Sequence, residues 1–331
     1  MFAIANKIDL SLSSTIECSL FGCEMASRMG VWLGVDHYNR GFHITSTSGL
    51  FGAVLGGCKV LNLSKDVTKN ALNLAASRAS GLKVQFGTMG KPYHAGMASS
   101  SGVEVTILAS HGLKSCKNAF DGEYGFGKVY GRSEICSERY LSKSDFLFTE
   151  VKHKFHACCH GTHAAIEALN FLQQKYKVQR NEVNKIVIKV HPRFANVCNI
   201  WDPSSGLEIK FSYRMIATMQ MFNYDTRRLD IFSDDMCSNK KLIEFRKKVK
   251  VHFDGELKVF ESQVEVSLLS GQSYSKKYDL ESSIDLKKIE SKVRKKARSL
   301  VGSSVEEEIW GMLQDKKVSS NNFMQFLSER F

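Results

Sequence analysis

Three prolines, Pro92, Pro192 and Pro203, are all that 331 residues contain. So few breakers exclude a proline-rich or low-complexity chain and leave room for long helices. No apolar run reaches the roughly 20 residues that a membrane-spanning helix needs. The opening Met1-Phe-Ala-Ile-Ala5 has neither the basic start nor the long apolar stretch of a secretory signal. The nine cysteines are odd in number and scattered through apolar surroundings. They suit reduced thiols in the cytoplasm better than a disulfide framework. Acidic residues are the scarcer charge, 34 against 46 basic, which leaves a net +12. The surplus sits in residues 240–250 and 287–298, at spacings of solvated helix or strand faces and without aromatic interleaving. Neither a nucleic acid nor a membrane is therefore an expected partner. Part of the charge suits a small polyanionic substrate.

Length and an apolar fraction of 43% allow two domains. Residues 20–33 carry Phe21, Met25, Met29 and Leu33 at intervals of four, the pattern of an amphipathic helix. Residues 48–61 and 66–79 read as two more helices. Gly49, Gly52, Gly56 and Gly57 are poor helix formers, and their expected use is close helix–helix approach. A fourth helix is expected over residues 95–108, with Pro92 holding Lys91 in an extended approach segment. Gly125-Phe-Gly127 resembles a broken nucleotide fingerprint, but it follows no strand and opens no clear helix, so no nucleotide is expected. The texture changes near Leu147. Residues 185–191, 249–253 and 263–268 alternate as strands, residues 209–221 read as a helix between them, and the helical pattern returns over residues 286–313. The expected fold is mostly α with an α+β insertion. Residues 1–148 and 282–331 would form a discontinuous all-helical domain, with a smaller α+β lid over residues 149–281.

Three segments each end a loop with titratable residues and then start a helix. Gly41-Phe-His43 precedes Thr45-Ser-Thr-Ser48, which supplies N-cap candidates. Gly90-Lys-Pro-Tyr-His94 precedes the small-residue helix. Phe155-His-Ala-Cys-Cys-His-Gly-Thr-His163 precedes residues 164–173, with Thr162 as an N-cap candidate. If the three starts converge, free N–H groups, imidazoles and an ammonium surround one pocket suited to di- or tricarboxylates and to proton transfer. Each piece also has a plain reading, His43 as a satisfied structural histidine and Lys91 as a surface lysine. Cys158, Cys159, His160 and His163 have zinc-binding residue types, yet adjacent cysteines do not easily share a tetrahedral site and no second pair exists. No metal is expected. A cysteine nucleophile beside a histidine is the other chemistry this segment allows.

Gly41-Phe-His43, Gly87-Thr-Met-Gly-Lys-Pro-Tyr-His-Ala-Gly96 and Thr162-His-Ala-Ala-Ile-Glu-Ala168, in that order, resemble the MmgE/PrpD family. That family includes 2-methylcitrate dehydratase, cis-aconitate decarboxylase and iminodisuccinate epimerase. The similarity extends through Phe211-Ser-Tyr213 and the lysine-rich last helices. The resemblance implies a homodimeric lyase that acts on a di- or tricarboxylate without metal or cofactor. It implies catalytic roles for His43 and Lys91, which match family active-site positions. Lys91 would hold a substrate carboxylate or carry a proton, and His43 would be an acid/base or a carboxylate contact. His94 and His163 would support them, Ser212 and Tyr213 would offer hydroxyls, and Cys159 would line the pocket.

The separation of His43 and Lys91 fits the decarboxylase branch without a gap. That branch, however, has a histidine where this chain has Cys159, which points toward 2-methylcitrate dehydratase-like dehydration, a step of propionate catabolism. Ile44 stands where proline is common after the Gly-Phe-His motif. Family members also carry a further N-terminal segment with an acidic residue and a histidine of the active site. The chain is therefore expected to be N-terminally truncated, impaired as a dehydratase on its own, and to have a separately encoded N-terminal fragment as a candidate partner. The alternatives are decarboxylation or epimerisation, and a non-catalytic dimeric remnant.

Overall fold

A computed structural model describes residues 1–86, 88–131 and 145–331, so Gly87 of the second motif lies outside the described residues. Helices make up about 58% of the described residues, which also hold one small mixed sheet, the mostly helical class with an α+β part that the sequence implies. The chain divides into two compact units, one of Met1–Val151 with Ile309–Phe331 and one of Lys152–Glu308.

The first unit begins with α1 (Phe2–Lys7), α2 (Leu12–Asn39), α3 (Ile44–Val60), α4 (Lys65–Ala75), α5 (Gly90–Ser110) and the short α6 (Phe126–Tyr130). The second helix is longer at both ends than its apolar pattern suggests. Ser11 caps it by accepting from the Ser14 N–H, and the Thr15 and Ser19 hydroxyls fold back onto carbonyls one turn earlier. These polar residues hide a helix from a hydrophobic-period reading. At Gly34 the backbone turns to φ 71°, which kinks α2 near its end. Close approach of α2 and α3 rests on Gly22 and Gly52: a Cβ on Gly52 would stand 2.5 Å from the Gly22 carbonyl oxygen. Gly56 and Gly57 also face close neighbours, whereas Gly49 faces open space. Leu33, Leu50, Phe51, Val54, Ala75 and Val105 fill the core, and Trp32 stacks on Phe126 at 6.1 Å.

Lys91 does not lie in an extended approach. The helix α5 already begins at Gly90, so Lys91 and Pro92 occupy its first turn. Proline is tolerated there because an N–H in the first turn has no intrahelical acceptor to lose, and this outweighs its bias on the preceding residue.

The second unit is built from α7 (His163–Tyr176), β1 (Val183–Val190), α8 (Gly206–Ile209), α9 (Tyr213–Met221), α10 (Asp235–Ser238), α11 (Lys240–Arg246), β2 (Val249–Phe253), β3 (Glu261–Leu268), β4 (Ser273–Asp279) and α12 (Leu286–Val301). The sheet order is β2-β1-β3-β4, with β1 parallel to β2 and the other pairs antiparallel. Ile186, Ile188, Val264 and Val266 pack with Leu169 and Leu172 of α7 and with Tyr213 and Ala217 of α9. The strand β4 escapes the sequence reading because its alternation is carried by serine, lysine and tyrosine. Such polarity, with Lys276 and Lys277, suits a sheet edge. The helix expected over residues 209–221 is broken at Ser212, whose extended backbone (φ −120°) starts α9 afresh.

The helix α12 belongs to the second unit, so the boundary there falls at Glu308 and not at the expected residue 281. Polar side chains tie it down: Lys292 Nζ lies 2.7 Å from Glu167, Lys296 Nζ donates to the Lys154 carbonyl at 2.7 Å, and the Ser299 hydroxyl donates to Asp225 at 3.0 Å. Gly302, at φ 88°, separates α12 from α13 (Ser303–Gln314), which crosses between the units. The last helix, α14 (Ser320–Arg330), returns to the first unit through a Ser11–Ser319 bridge, a 2.6 Å hydroxyl contact of Thr15 with Ser320, and Phe2 against Phe323 at 5.9 Å. Among the described residues no helix is long and apolar enough to cross a membrane.

Candidate functional site

In the first unit the chain turns sharply before α3. The His43 N–H donates to the Gly81 carbonyl at 3.0 Å and the Lys83 N–H donates to the Gly41 carbonyl at 2.7 Å, with Phe42 bridged to Leu82. This short ladder fixes His43 at the N-cap position of α3, where its side chain makes no cap bond. The expected caps do not form either. The Thr47 and Ser48 hydroxyls donate backward to carbonyls of His43 and Ile44, because both residues are already inside the helix.

The His43 ring is thereby turned to His94 on α5, and the two Nδ1 atoms stand 3.1 Å apart. At that distance one nitrogen carries the proton and the other accepts it. Both rings are buried, and the Ser46 hydroxyl donates to the His94 carbonyl at 3.2 Å. Phe86 meets His43 edge-on at 4.9 Å, and Lys91 Nζ lies 4.6 Å from the centre of the same Phe86 ring. Burial, then the charges of His94 and Lys91, push the His43 imidazole down to about 4. At neutral pH His43 is an uncharged base whose Nδ1 is engaged and whose Nε2 has no hydrogen-bond partner among the described residues. His43 and Lys91, two of the residues expected to act, thus meet on one aromatic ring, and the expected His94 joins them through His43.

The other expected residues lie in the second unit. Cys159 and His163 flank a 3-10 turn at His160–Thr162 that leads into α7. Thr162 stands at the N-cap position, but its hydroxyl donates to the Cys159 carbonyl at 2.8 Å and meets Cys158 Sγ at 3.1 Å, so it caps nothing. Burial pushes the Cys158 thiol up to about 12. His163 is 1% exposed, and neither ring nitrogen has a hydrogen-bond partner among the described residues. Burial, with His156 and His160 beside it, pushes its imidazole down to about 2.

The expected hydroxyls are committed internally. Ser212 Oγ donates to the Ile200 carbonyl at 2.6 Å and accepts from the Met215 N–H as the cap of α9. Tyr213 donates to the Gly161 carbonyl at 2.9 Å and is buried. Their pattern in the sequence, a hydroxyl pair at a helix start, is that of a cap as much as of a ligand contact.

Sequence reasoning passed over a charged network beside this turn. His156 Nδ1 lies 2.7 Å from the Thr226 hydroxyl, its Nε2 lies 3.3 Å from Glu167, and Glu167 pairs with Lys292. Burial alone would raise the Glu167 carboxyl, but its bonds to His156 and Lys292 win and hold it down at about 2. The network walls a polar cleft of about 920 Å³ that also takes in Asn170, Arg180 and Lys295. Phe155, His156 and Glu167 of the quoted segments line it, but none of the residues given a catalytic or binding role from the sequence does. Glu167 lay inside the third motif, but its partner Lys292 gave no local signal. Among the described residues no three His, Cys, Asp or Glu side chains are grouped to hold a metal ion.

The MmgE/PrpD N-terminal domain matches residues 1–138 and the MmgE/PrpD C-terminal domain matches residues 156–316. A cis-aconitate decarboxylase-like protein of Aspergillus oryzae is 32% identical over 165 residues, 47% of this chain and 34% of that protein. The cis-aconitate decarboxylase of Aspergillus terreus is 30% identical over 195 residues, 56% of this chain and 40% of that enzyme. The human cis-aconitate decarboxylase is 23% identical over 249 residues, 72% of this chain and 51% of that enzyme. The chain thus spans a third to a half of the length of these relatives, whose named reaction is that of a lyase. With both family domains matched in order over most of its length, the chain belongs to the MmgE/PrpD family.

Proposed function

We propose that the chain carries a lyase site for a tricarboxylate, in which Lys91 holds a substrate carboxylate and His43 is the base. The carrying observation is the 3.1 Å contact of His43 with His94. It engages His43 Nδ1, leaves Nε2 for the substrate and, with burial, keeps the ring uncharged. Elimination of water from a 2-methylcitrate-like tricarboxylate asks for such a base. Nε2 takes the proton from the carbon beside a carboxylate, the C–H electron pair becomes the new C=C bond, and the hydroxyl leaves as water with a proton drawn from solvent, to which His43 then returns its own. The Lys91 ammonium offsets negative charge that builds on the carboxylate as the C–H bond breaks.

The relatives favour a second reading, decarboxylation of cis-aconitate. Loss of carbon dioxide leaves a carbanion that must gain a proton, so that reaction asks for an acid near the carbon. An imidazole with a pKa of about 4 is nearly all base at neutral pH, which makes dehydration the better match to His43. The same reading carries a homodimer in the cytoplasm, checked by light scattering of the purified chain and by cell fractionation.

The test incubates the chain with 2-methylcitrate and, separately, with cis-aconitate, and follows both by proton NMR. Appearance of the methylaconitate olefin, lost in His43→Gln, supports dehydration. Carbon dioxide release from cis-aconitate without any dehydration supports the second reading and removes the first.

A further inference from the structure

Cys159 and Cys198 are distant in sequence and adjacent in the second unit. Tyr213 binds both segments at once: its N–H donates to the Cys198 carbonyl at 3.1 Å and its hydroxyl donates to the Gly161 carbonyl at 2.9 Å. The Cys159 N–H adds a bond to the Lys210 carbonyl at 3.0 Å, and Asn199 bridges to Ser212. Gly161 lets the turn lie flat on its neighbour, because a Cβ there would stand 2.6 Å from the Phe194 ring and 3.1 Å from Cys198 Sγ. So clamped, Cys159 packs against the core cluster that holds Cys198, and its nearness, with burial, pushes the Cys198 thiol up.

The two sulfurs differ in access. Cys198 is fully buried in the core between the sheet and α7, and Cys159 packs on that core half-buried. Cys158, the immediate neighbour, is turned into a different cluster with Ile166, Ile209 and Met215, and its sulfur is taken by the Thr162 hydroxyl. Adjacent in sequence, the two cysteines therefore face different cores.

We propose that Cys159 and Cys198 form a redox-active dithiol, which a small peroxide converts into an intramolecular disulfide. The more accessible Cys159 sulfur, as thiolate, attacks one peroxide oxygen. The O–O bond breaks, Cys159 becomes a sulfenic acid, and the departing hydroxide takes up the thiol proton as water. Cys198 sulfur then attacks Cys159 sulfur. The S–O bond breaks, the S–S bond forms, and the hydroxyl leaves with the Cys198 proton as a second water. Two thiols lose two electrons in total and the peroxide takes both. The Cys159 contact and burial raise the Cys198 thiol, so it stays protonated until the sulfenic acid forms beside it. The disulfide would remove the Cys159 thiol from solvent and pin the turn that leads into α7 to the Cys198 segment. None of this depends on the lyase reading.

The experiment treats the reduced, purified chain with hydrogen peroxide at low molar excess, alkylates the remaining thiols and maps the digest by mass spectrometry. The expected product is a peptide pair joined through Cys159 and Cys198, two hydrogens lighter than the reduced pair and released by dithiothreitol. Cys158→Ser should give the same product and Cys159→Ser should not. Cys198→Ser should instead accumulate a sulfenic acid at Cys159, trapped by dimedone. Circular dichroism of each variant confirms that the fold is kept. The proposal is overturned if Cys159 in the wild-type chain advances to the sulfinic acid as fast as in Cys198→Ser, or if the joined pair contains Cys158. It is equally overturned if both Cys159 and Cys198 stay alkylatable while other thiols are oxidised.

Discussion

His43 and His94 meet Nδ1 to Nδ1 at 3.1 Å, although they come from the starts of two different helices. Two imidazolium rings cannot hold this contact, since both would then present N–H to N–H. The two facing nitrogens therefore share one proton, and burial, with the charges of His94 and Lys91, keeps a second off His43 until the pH falls toward about 4.

The first prediction concerns that second proton. Nitrogen-15 NMR of the histidine rings should give His43 a midpoint near 4, far below an ordinary histidine. In His94→Asn the midpoint should rise, because the charge of His94 is one of its causes. It should stay below the ordinary range, because burial is the larger cause and remains. An ordinary midpoint in the wild-type chain would remove the physical basis of the base assignment.

Acid stability follows from the same sign. His43 and His163 both have folded values below their unfolded ones, about 4 and about 2, so the unfolded chain binds more protons as the pH falls below the ordinary histidine range. Stability at neutral pH is retained above that range and is lost as the pH falls toward the two folded values. Glu167 acts in the same direction lower down: its contribution is present above its ordinary value of 4.5 and is lost as the pH falls toward about 2. Each such proton contributes a slope of about 1.4 kcal/mol per pH unit. Denaturant unfolding between pH 6 and 4 should thus steepen with acid, and His163→Phe should reduce the slope by one proton. An unchanged slope in that variant would show that His163 titrates normally.

Ser212→Ala should lower stability by about 1 kcal/mol through loss of the α9 cap and of the bond to Ile200. Tyr213→Phe should cost a similar amount, because the Gly161 carbonyl loses its donor. Neither should change affinity for a tricarboxylate by more than about twofold, well under the 1.4 kcal/mol of a tenfold change. A large loss of affinity with unchanged unfolding would return both hydroxyls to the substrate.

Much of this arrangement could be read from the chain, and what was missed has local causes. Helices with apolar residues at intervals of four and strands with alternating ones announced themselves, as did the loop-to-helix starts holding His43, Lys91 and His94. The polar strand β4 and the serine-rich first turns of α2 did not, since hydrogen bonding and not apolar burial defines them. The place of Lys91 inside α5 was lost to a proline rule that the first turn of a helix suspends. The Glu167–Lys292 pair spans 125 positions, and no local pattern links two such residues.

The most direct test of the central claim separates the clamp from the base. Titration calorimetry measures the affinity of the wild-type chain, Lys91→Ala and His43→Gln for tricarballylate, a tricarboxylate with no hydroxyl to lose. The account predicts at least a tenfold loss of affinity in Lys91→Ala, about 1.4 kcal/mol or more, with the fold intact by circular dichroism, and near wild-type affinity in His43→Gln. Unchanged binding in Lys91→Ala would contradict it.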